Sequence, residues 1–208
     1  MSKYTRPVCR LCRREGEKLF LKGEKCLLPK CPLTRRSSKP GVHGTIFKKL
    51  SDYGLQLREK QKAKRIYGIL ERQFKRYFQR ASKAKGDRGA ILLQLLERRL
   101  DNVIYRAGLA ESRRQARLFV THNYFTVNKK KVNIPSYLVK EGDKIEIKKK
   151  KTRDKLFAEI IKKTAKQKTP SWLKLDKKDL SITVTGLPQR EEIDTPINEQ
   201  LIIEFYSR

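Results

Sequence analysis

The chain has 208 residues, 52 of them lysine or arginine against 22 aspartate or glutamate, for a formal net charge of +30. Charged residues make up 36 % and apolar residues 38 %, against roughly 25 % and ~45–50 % in average globular proteins, so any core is small relative to the surface. No apolar run approaches the ~20 residues of a helical membrane span, and self-repulsion at this charge favours a polyanionic partner.

Nucleic acid fits that partner better than an anionic membrane. Counterion release from phosphates would drive binding and make it steeply salt-dependent. No stretch combines a long apolar helix face with a basic one, as a membrane-surface helix would. Met1-Ser2-Lys3-Tyr4 opens no signal peptide, because no apolar core follows it. The first 40 residues are arginine-rich like a transit peptide, but four cysteines and Glu15, Glu17 and Glu24 argue against that. The compartment expected is cytosolic and reducing, where paired cysteines bind metal rather than form disulfides.

Residues 1–45 are punctuated by Gly16, Gly23, Pro29, Pro32, Pro40, Gly41 and Gly44, so little regular structure is expected there. Cys9 and Cys12 form a C-x-x-C pair, and Cys26 and Cys31 a wider one. Two such knuckles can complete a tetrahedral all-thiolate zinc site, structural because no coordination position stays open. The same spacing admits an iron–sulfur cluster. Arg10, Arg13, Arg14, Lys25 and Lys30 flank the ligands and would compensate their negative charge. His43 is not needed as a ligand.

Two helices are expected over residues 51–86. Ser51 can cap the first, Asp52 suits its dipole, and Tyr53, Leu57, Gln61 and Lys64 follow at helical spacing up to Tyr67-Gly68. The second carries Leu70, Phe74, Tyr77, Phe78 and Ala81 on one face, with Gly86 as terminator. Tyr53, Arg58, Lys60, Lys62 and Arg65 make the first helix a candidate RNA-binding element. Tyr53 and Tyr67 are expected with rings partly buried and hydroxyls near RNA.

The strongest helical pattern spans 90–107, with Leu92, Leu96, Leu100, Val103, Ile104 and Ala107 on one side and a left-handed stop at Gly108-Leu109. A second helix follows, capped by Ser112 with Gln115 completing a capping box, and Ala116, Phe119 and Val120 turned inward. The pair is expected to form a compact hairpin. The period then changes to two: Phe125, Val127, Val132, Ile134, Ile145 and Ile147 alternate with polar residues, predicting a small antiparallel sheet. After the lysine run 148–151 a helix is expected from near Thr152, with Leu156, Ile160 and Ile161 inward. Strand-like pieces at 172–175 and 181–185 and a final helix near 198–206 close the chain. Trp172 suits a core or domain interface. No internal repeat is present.

Ser112-Arg113-Arg114-Gln115-Ala116-Arg117 begins a helix, and Arg113, Arg114 and Arg117 are spaced to share one exposed face. With the helix N-terminus this makes a phosphate-binding surface, against the bland reading of a solvated basic face. Lys129, Lys130 and Lys131 in the next hairpin, and Arg99, extend it. A helix–turn–helix DNA reader would need a second helix reading base edges, whereas here strands follow, so shape-based RNA recognition fits better. Arg99-Leu100-Asp101 looks like the catalytic triplet of some pseudouridine synthases. It sits within the helical pattern with no catalytic-loop sequence after it, so Asp101 is read as a surface or hairpin-stabilising carboxylate. No Ser/His/Asp or Cys/His set clusters, only His43 and His122 are present, and no phosphate-cradling glycine loop appears, so an enzyme is not expected.

These motifs together resemble the bacterial small-ribosomal-subunit protein four family. The resemblance rests on Cys9 to Cys31, Pro40-Gly41-Val42-His43-Gly44, the run Ser51 to Gln61, Arg99-Leu100-Asp101-Asn102-Val103 and Ser112 to Arg117. It also rests on Ile134-Pro135-Ser136-Tyr137, Pro196 to Leu201 and Glu204 to Arg208. It implies an α+β protein in three parts. These are a zinc-binding N-terminal extension (1–45), a helical domain (46–96) completed by 170–208, and an inserted RNA-binding module with a following helix (97–169). It implies one structural zinc on Cys9, Cys12, Cys26 and Cys31, with Arg113, Arg114 and Arg117 facing RNA. It further implies binding to the 5′-domain junction of small-subunit ribosomal RNA early in assembly, contact with small-subunit protein five, support of decoding accuracy, and in some members repression of their own messenger RNA. Two departures stand out. Asn123 replaces a family glycine after the recognition helix, and asparagine is expected to keep its left-handed conformation. Asn128-Lys129 replaces Asn-Gly, so a different turn or a longer loop is expected, since positive φ at lysine would cost about 1–2 kcal/mol. The rivals are an RNA-modifying enzyme and a stand-alone messenger-RNA regulator built on the same module.

Overall fold

The computed structural model describes residues 4–42, 44, 49–148, 159, 169–176 and 179–208. The chain forms two compact units, one of residues 1–92 with 195–208, the other of residues 93–194. Both helices and an antiparallel sheet are present, which makes the fold α+β.

In the first unit, α1 (Cys9–Glu15) and α2 (Pro32–Arg35) lie in the cysteine-rich segment, joined by a 3-10 turn at Gly23–Cys26. The long helices α3 (Asp52–Ile66) and α4 (Glu71–Lys83) follow. Ser51 Oγ accepts from the Gly54 amide at 3.2 Å, as the capping signal predicts. Gly68 takes φ +61 after α3, and the Gly68 and Ile69 amides satisfy the Arg65 and Lys64 carbonyls that the helix end would orphan. On α4, Phe74, Tyr77 and Ala81 are buried, as expected, while Leu70, expected on the same face, stands exposed at its N-cap. On α3 the buried residues are Gln56, Lys60, Lys62, Ala63 and Ile66, not the stripe from Tyr53 through Leu57 and Gln61. Polar residues occupy that face because carboxylates meet them. Gln56 Nε2 donates to Glu204 at 2.9 Å and Lys60 Nζ to Glu71 at 2.8 Å.

The unit is completed by the helix at Glu199–Tyr206, here α8, which packs on α3 and is capped by the Asn198 side chain. Its rings lock it in place: Tyr206 stacks on Phe78 with centroids 4.5 Å apart, and Phe205 lies 5.5 Å from Tyr53. Gly89, in the first turn of α5 (Arg88–Glu97), permits the close approach of α8, since a Cβ there would stand 2.5 Å from Glu199 Cγ.

In the second unit, α6 (Leu100–Arg106) and α7 (Arg113–Thr121) pack as a hairpin. They share a core with a five-stranded antiparallel sheet in the order β2-β1-β3-β5-β4, with β1 Phe125–Val127, β2 Lys130–Lys131, β3 Lys144–Ile147, β4 Leu173–Asp176 and β5 Ser181–Val184. Alternate strand residues Phe125, Val127, Ile145, Ile147, Ile182 and Val184 meet Leu100, Val103, Ile104, Ala116, Phe119 and Val120 of the helices. Trp172 joins this core. Burying such side chains contributes about 1.5–3 kcal/mol each.

Three features depart from expectation. The helical pattern over 90–107 is two helices, broken where Arg99 is extended and bridges Leu138. The loop after β2 captures this break, since Leu100 and Asp101 amides donate to the Tyr137 and Pro135 carbonyls at 2.8 and 3.2 Å. Ile134 is exposed and outside the strands. Residues 170–194, expected to complete the helical part, instead add β4 and β5 to the second unit, where their apolar residues extend the sheet core. The helix expected from Thr152 lies outside the described residues. The left-handed stop at Gly108 is present with φ +82, and the Leu109 amide reaches the Ile104 carbonyl at 3.1 Å.

Candidate nucleic-acid interface and cysteine module

α1 carries Cys9 and Cys12, the 3-10 turn ends at Cys26, and Cys31 precedes α2. All four are free thiols, and Cys12, Cys26 and Cys31 are buried. The Lys22 amide donates to Cys26 Sγ at 3.4 Å. Burial raises the Cys12 thiol above its ordinary range; a hydrogen bond from the Leu19 backbone opposes this, and the neighbouring charges of Cys26, Cys9 and Cys31 add to it. Burial acts upward on Cys31 as well, but hydrogen bonds from the Leu33 and Thr34 backbone and the Lys18 charge prevail and lower it. Amide donors aimed at sulfur, as at Cys26 and Cys31, suit thiolates, whereas burial and its cysteine neighbours favour the neutral thiol at Cys12. Among the described residues, however, no three His, Cys, Asp or Glu side chains are gathered closely enough to hold a metal ion. His43 lies outside the described residues. Arg13 Nε donates to the Ser38 carbonyl at 3.0 Å, tying the module together, while Arg10 and Arg14 are exposed.

The cations of α3 are committed internally. Arg58 and Arg65 both pair with Glu15, a nearly buried carboxylate. Lys62 pairs with Glu59 at 2.9 Å and Glu17 at 3.3 Å. Lys60 and Lys64 clamp the two oxygens of Glu71 at 2.8 and 2.9 Å, and Tyr206 donates to the same carboxylate at 2.8 Å. Burial acts upward on Glu71, but these three donors outweigh it and hold its pKa at about 2. Lys60 and Lys62 are therefore buried and paired, not poised for phosphate as expected. Tyr53 is half exposed against Phe205, whereas Tyr67 is fully buried.

The basic helix of the second unit rests on two buried carboxylates. Asp101 is 2 % exposed and Arg99 1 %. Asp101 takes both Arg99 Nε at 3.0 Å and Nη2 at 2.8 Å, and also Arg117 Nε at 3.0 Å and Nη2 at 2.8 Å. Glu97 takes Arg106 Nε at 2.9 Å and Nη2 at 3.0 Å, and Asn102 Nδ2 at 2.7 Å. Asn102 Oδ1 then accepts from Arg113 Nε at 2.7 Å, and the Arg113 guanidinium stacks 4.5 Å from the Tyr105 ring centroid.

Arg113, Arg114 and Arg117 are thus not equivalent. Arg114 is exposed, while Arg113 and Arg117 are half-buried and held against α6. Two carboxylates are bracketed by four guanidiniums, so the platform keeps a surplus of positive charge in fixed directions. Asp101 is no surface group and stands at the start of α6, not mid-helix; it does stabilise the hairpin. Arg99 is likewise a buried brace and not a surface contact. Ser112 Oγ accepts from the Gln115 amide at 3.3 Å, but Gln115 Oε1 accepts from the Glu111 amide at 2.7 Å rather than from that of Ser112. Of this network Glu97, Asn102, Tyr105 and Arg106 went unrecognised in the sequence. Helical spacing links Asn102, Tyr105 and Arg106, but Glu97 lies across the break at Arg99, where no sequence signal pointed to it.

The β1–β2 hairpin is a tight two-residue turn. Asn128 and Lys129 both take positive φ, +49° and +64°, the pattern of a type I′ turn. Neither the different turn type nor the longer loop that was expected is present. Asn128 explains it: its Nδ2 donates to Asp143 at 2.8 Å and its Oδ1 accepts from the Lys144 amide at 2.9 Å. Asp143 in turn accepts from the Lys140 amide at 2.8 Å. This clamp presents Lys129, Lys130 and Lys131 on an exposed, fixed tip. Asn123 takes φ +58° after α7, as expected.

Residues 3–97 match the Ribosomal protein S4/S9 N-terminal domain, and residues 98–145 match the S4 domain. Small ribosomal subunit protein uS4 of Caldicellulosiruptor bescii is 59 % identical over 208 residues, and uS4A of Symbiobacterium thermophilum is 56 % identical over 208; both cover 100 % of this chain and of the relative. The uS4 protein of Dictyoglomus turgidum is 58 % identical over the same full span.

Proposed function

The chain belongs to the uS4 family of bacterial small-subunit ribosomal proteins, and on that premise we propose that it is a structural component of the small ribosomal subunit. It binds small-subunit ribosomal RNA at the 5′-domain junction, nucleates assembly and supports translational accuracy. The observation that carries this reading is the end-to-end likeness to proteins named small ribosomal subunit protein uS4. The chain acts in the cytoplasm as part of that particle and is not an enzyme. Small-subunit protein five is proposed as a neighbour and its own messenger RNA as a secondary ligand.

Phosphate contacts fall to Arg114 and the outward edges of Arg113 and Arg117, to Lys129, Lys130 and Lys131, and to Arg10, Arg14 and the Tyr53 hydroxyl. The guanidiniums are pre-aimed by Glu97 and Asp101, so RNA meets donors that need little ordering. Cys9, Cys12, Cys26 and Cys31 would hold one structural zinc, folding a segment too polar to fold alone. The amide–sulfur hydrogen bonds and the pairing of C-x-x-C at Cys9 and Cys12 with the wider Cys26–Cys31 spacing support that assignment. Metal analysis of the purified chain is expected to find about one zinc per chain; a brown, iron-containing protein would overturn it.

Sucrose-gradient fractionation of cells tests the main reading. The chain is expected to co-sediment stoichiometrically with small subunits at high salt. Recovery chiefly in the free fractions would favour a stand-alone messenger-RNA regulator. An Asp101→Ala variant that erased a base modification from ribosomal RNA would favour the modifying enzyme.

A further inference from the structure

We propose that the outward face of α4 is an additional RNA-phosphate surface; this rests on the reading of the chain as a ribosomal RNA binder. The face carries Arg72, Lys75, Arg76, Gln79, Arg80 and Lys83, all exposed. Arg76, Gln79, Arg80 and Lys83 line an open groove of about 280 Å³.

The contrast with α3 carries the argument. Every cation from Arg58 to Arg65 on α3 has a carboxylate partner. Among the described residues none of the five cations on α4 forms an ion pair, and the acid that opens the helix, Glu71, is already taken by Lys60 and Lys64. Five unneutralised charges on one helix repel one another, and the fold tolerates this without offsetting it. Arg72, Arg76 and Arg80 recur every fourth residue, about 6 Å of axial rise apart. That is the scale separating neighbouring phosphates along one strand, so successive guanidiniums can each meet one.

The chemistry of the face selects RNA over an acidic protein. Protein interfaces centre on buried apolar and aromatic side chains, and none of the exposed large apolar residues lies on α4. A row of guanidiniums and an amide around a groove suits sugar–phosphate oxygens, with Arg able to bind a phosphate through two parallel donors.

The test uses the full chain and a transcript of the 5′ domain of small-subunit ribosomal RNA, with binding measured across a salt series and hydroxyl-radical footprinting alongside. The triple variant Arg76→Gln, Arg80→Gln, Lys83→Gln is expected to flatten the log–log salt slope by about two to three. It should lose one block of backbone protection while keeping the protections that depend on Arg114. Unchanged slope and footprint would overturn the proposal, as would loss of binding to polyglutamate alone. Should the triple variant fold poorly by circular dichroism, Arg76→Gln and Lys83→Gln singly are each expected to lower the slope by about one. A wild-type chain that binds the transcript no better than heparin would sink the ribosomal reading itself. An effect of Arg114→Gln without one at α4 would sink only this surface.

Discussion

Replacing Asp101 with asparagine keeps the shape of the side chain and removes its charge. Arg99 is 1 % exposed and depends on that carboxylate for two hydrogen bonds, at 2.8 and 3.0 Å. Stripping one partner from a buried ion pair costs roughly 3–5 kcal/mol, because the remaining charge is left uncompensated in a poorly solvated site. Arg117 adds little to that figure, since it retains some contact with water and can turn outward. A loss of this size is a large share of the ~5–15 kcal/mol that stabilises a typical domain. Trp172 is the only tryptophan and is buried in the same core, so its fluorescence during urea unfolding reports this unit directly. The double variant Arg99→Met, Asp101→Leu, which replaces the pair by apolar side chains, is expected to recover most of the loss. An Asp101→Asn penalty below about 1 kcal/mol would show that Arg99 finds its solvation elsewhere and would refute the two-carboxylate platform.

Arg114→Gln is expected to lower the salt slope of RNA binding by about one and leave the melting temperature unchanged, whereas Arg113→Gln should also destabilise the fold; equal melting temperatures for the two would contradict the pairing seen for Arg113. Glu71 is held below its ordinary 4.5, at about 2, so its contribution is complete above pH 4.5 and disappears as the pH falls from there toward 2. The shift would amount to roughly 3 kcal/mol if fully realised, but the side chain is 45 % exposed and screening reduces it to about 1 kcal/mol; acid titration of Glu71→Gln should show a shallower loss in that window. Lys129→Gly removes the strain of a lysine at φ +64° and is expected to stabilise the chain by about 1 kcal/mol while lowering the salt slope by about one. A destabilised Lys129→Gly chain would mean that the lysine makes contacts outweighing its backbone strain.

What could be read from residue order was local. Ser51 acts on the adjacent backbone through its hydroxyl, and Gly108 and Asn123 through their own φ, so each behaves in the fold as its chemistry demands. The strands at 172–175 and 181–185 were legible as alternation, but nothing in their pattern told which sheet they would join, because pairing partners are set by distant residues. The α3 cations show the same limit. A basic helix reads as a binding face until the acids that face it are known, and Glu15, Glu17 and Glu71 come from other elements. Asn128-Lys129 failed for a related reason: lysine's steric cost was judged alone, whereas Asp143, fifteen residues away, holds the turn closed.

The helical unit is discontinuous along the chain, since α8 packs on α3 although 93–194 lie between them. During synthesis the nascent polypeptide emerges in order, at roughly 5–20 residues per second. The intervening unit therefore has all of its residues outside the exit tunnel before the rings of Phe205 and Tyr206 are available to the segment made first. The earliest residues must wait several seconds with the α8-facing side of α3 uncovered, and a nascent-chain pause that hid the last segment would leave them open to proteases for as long as it lasted.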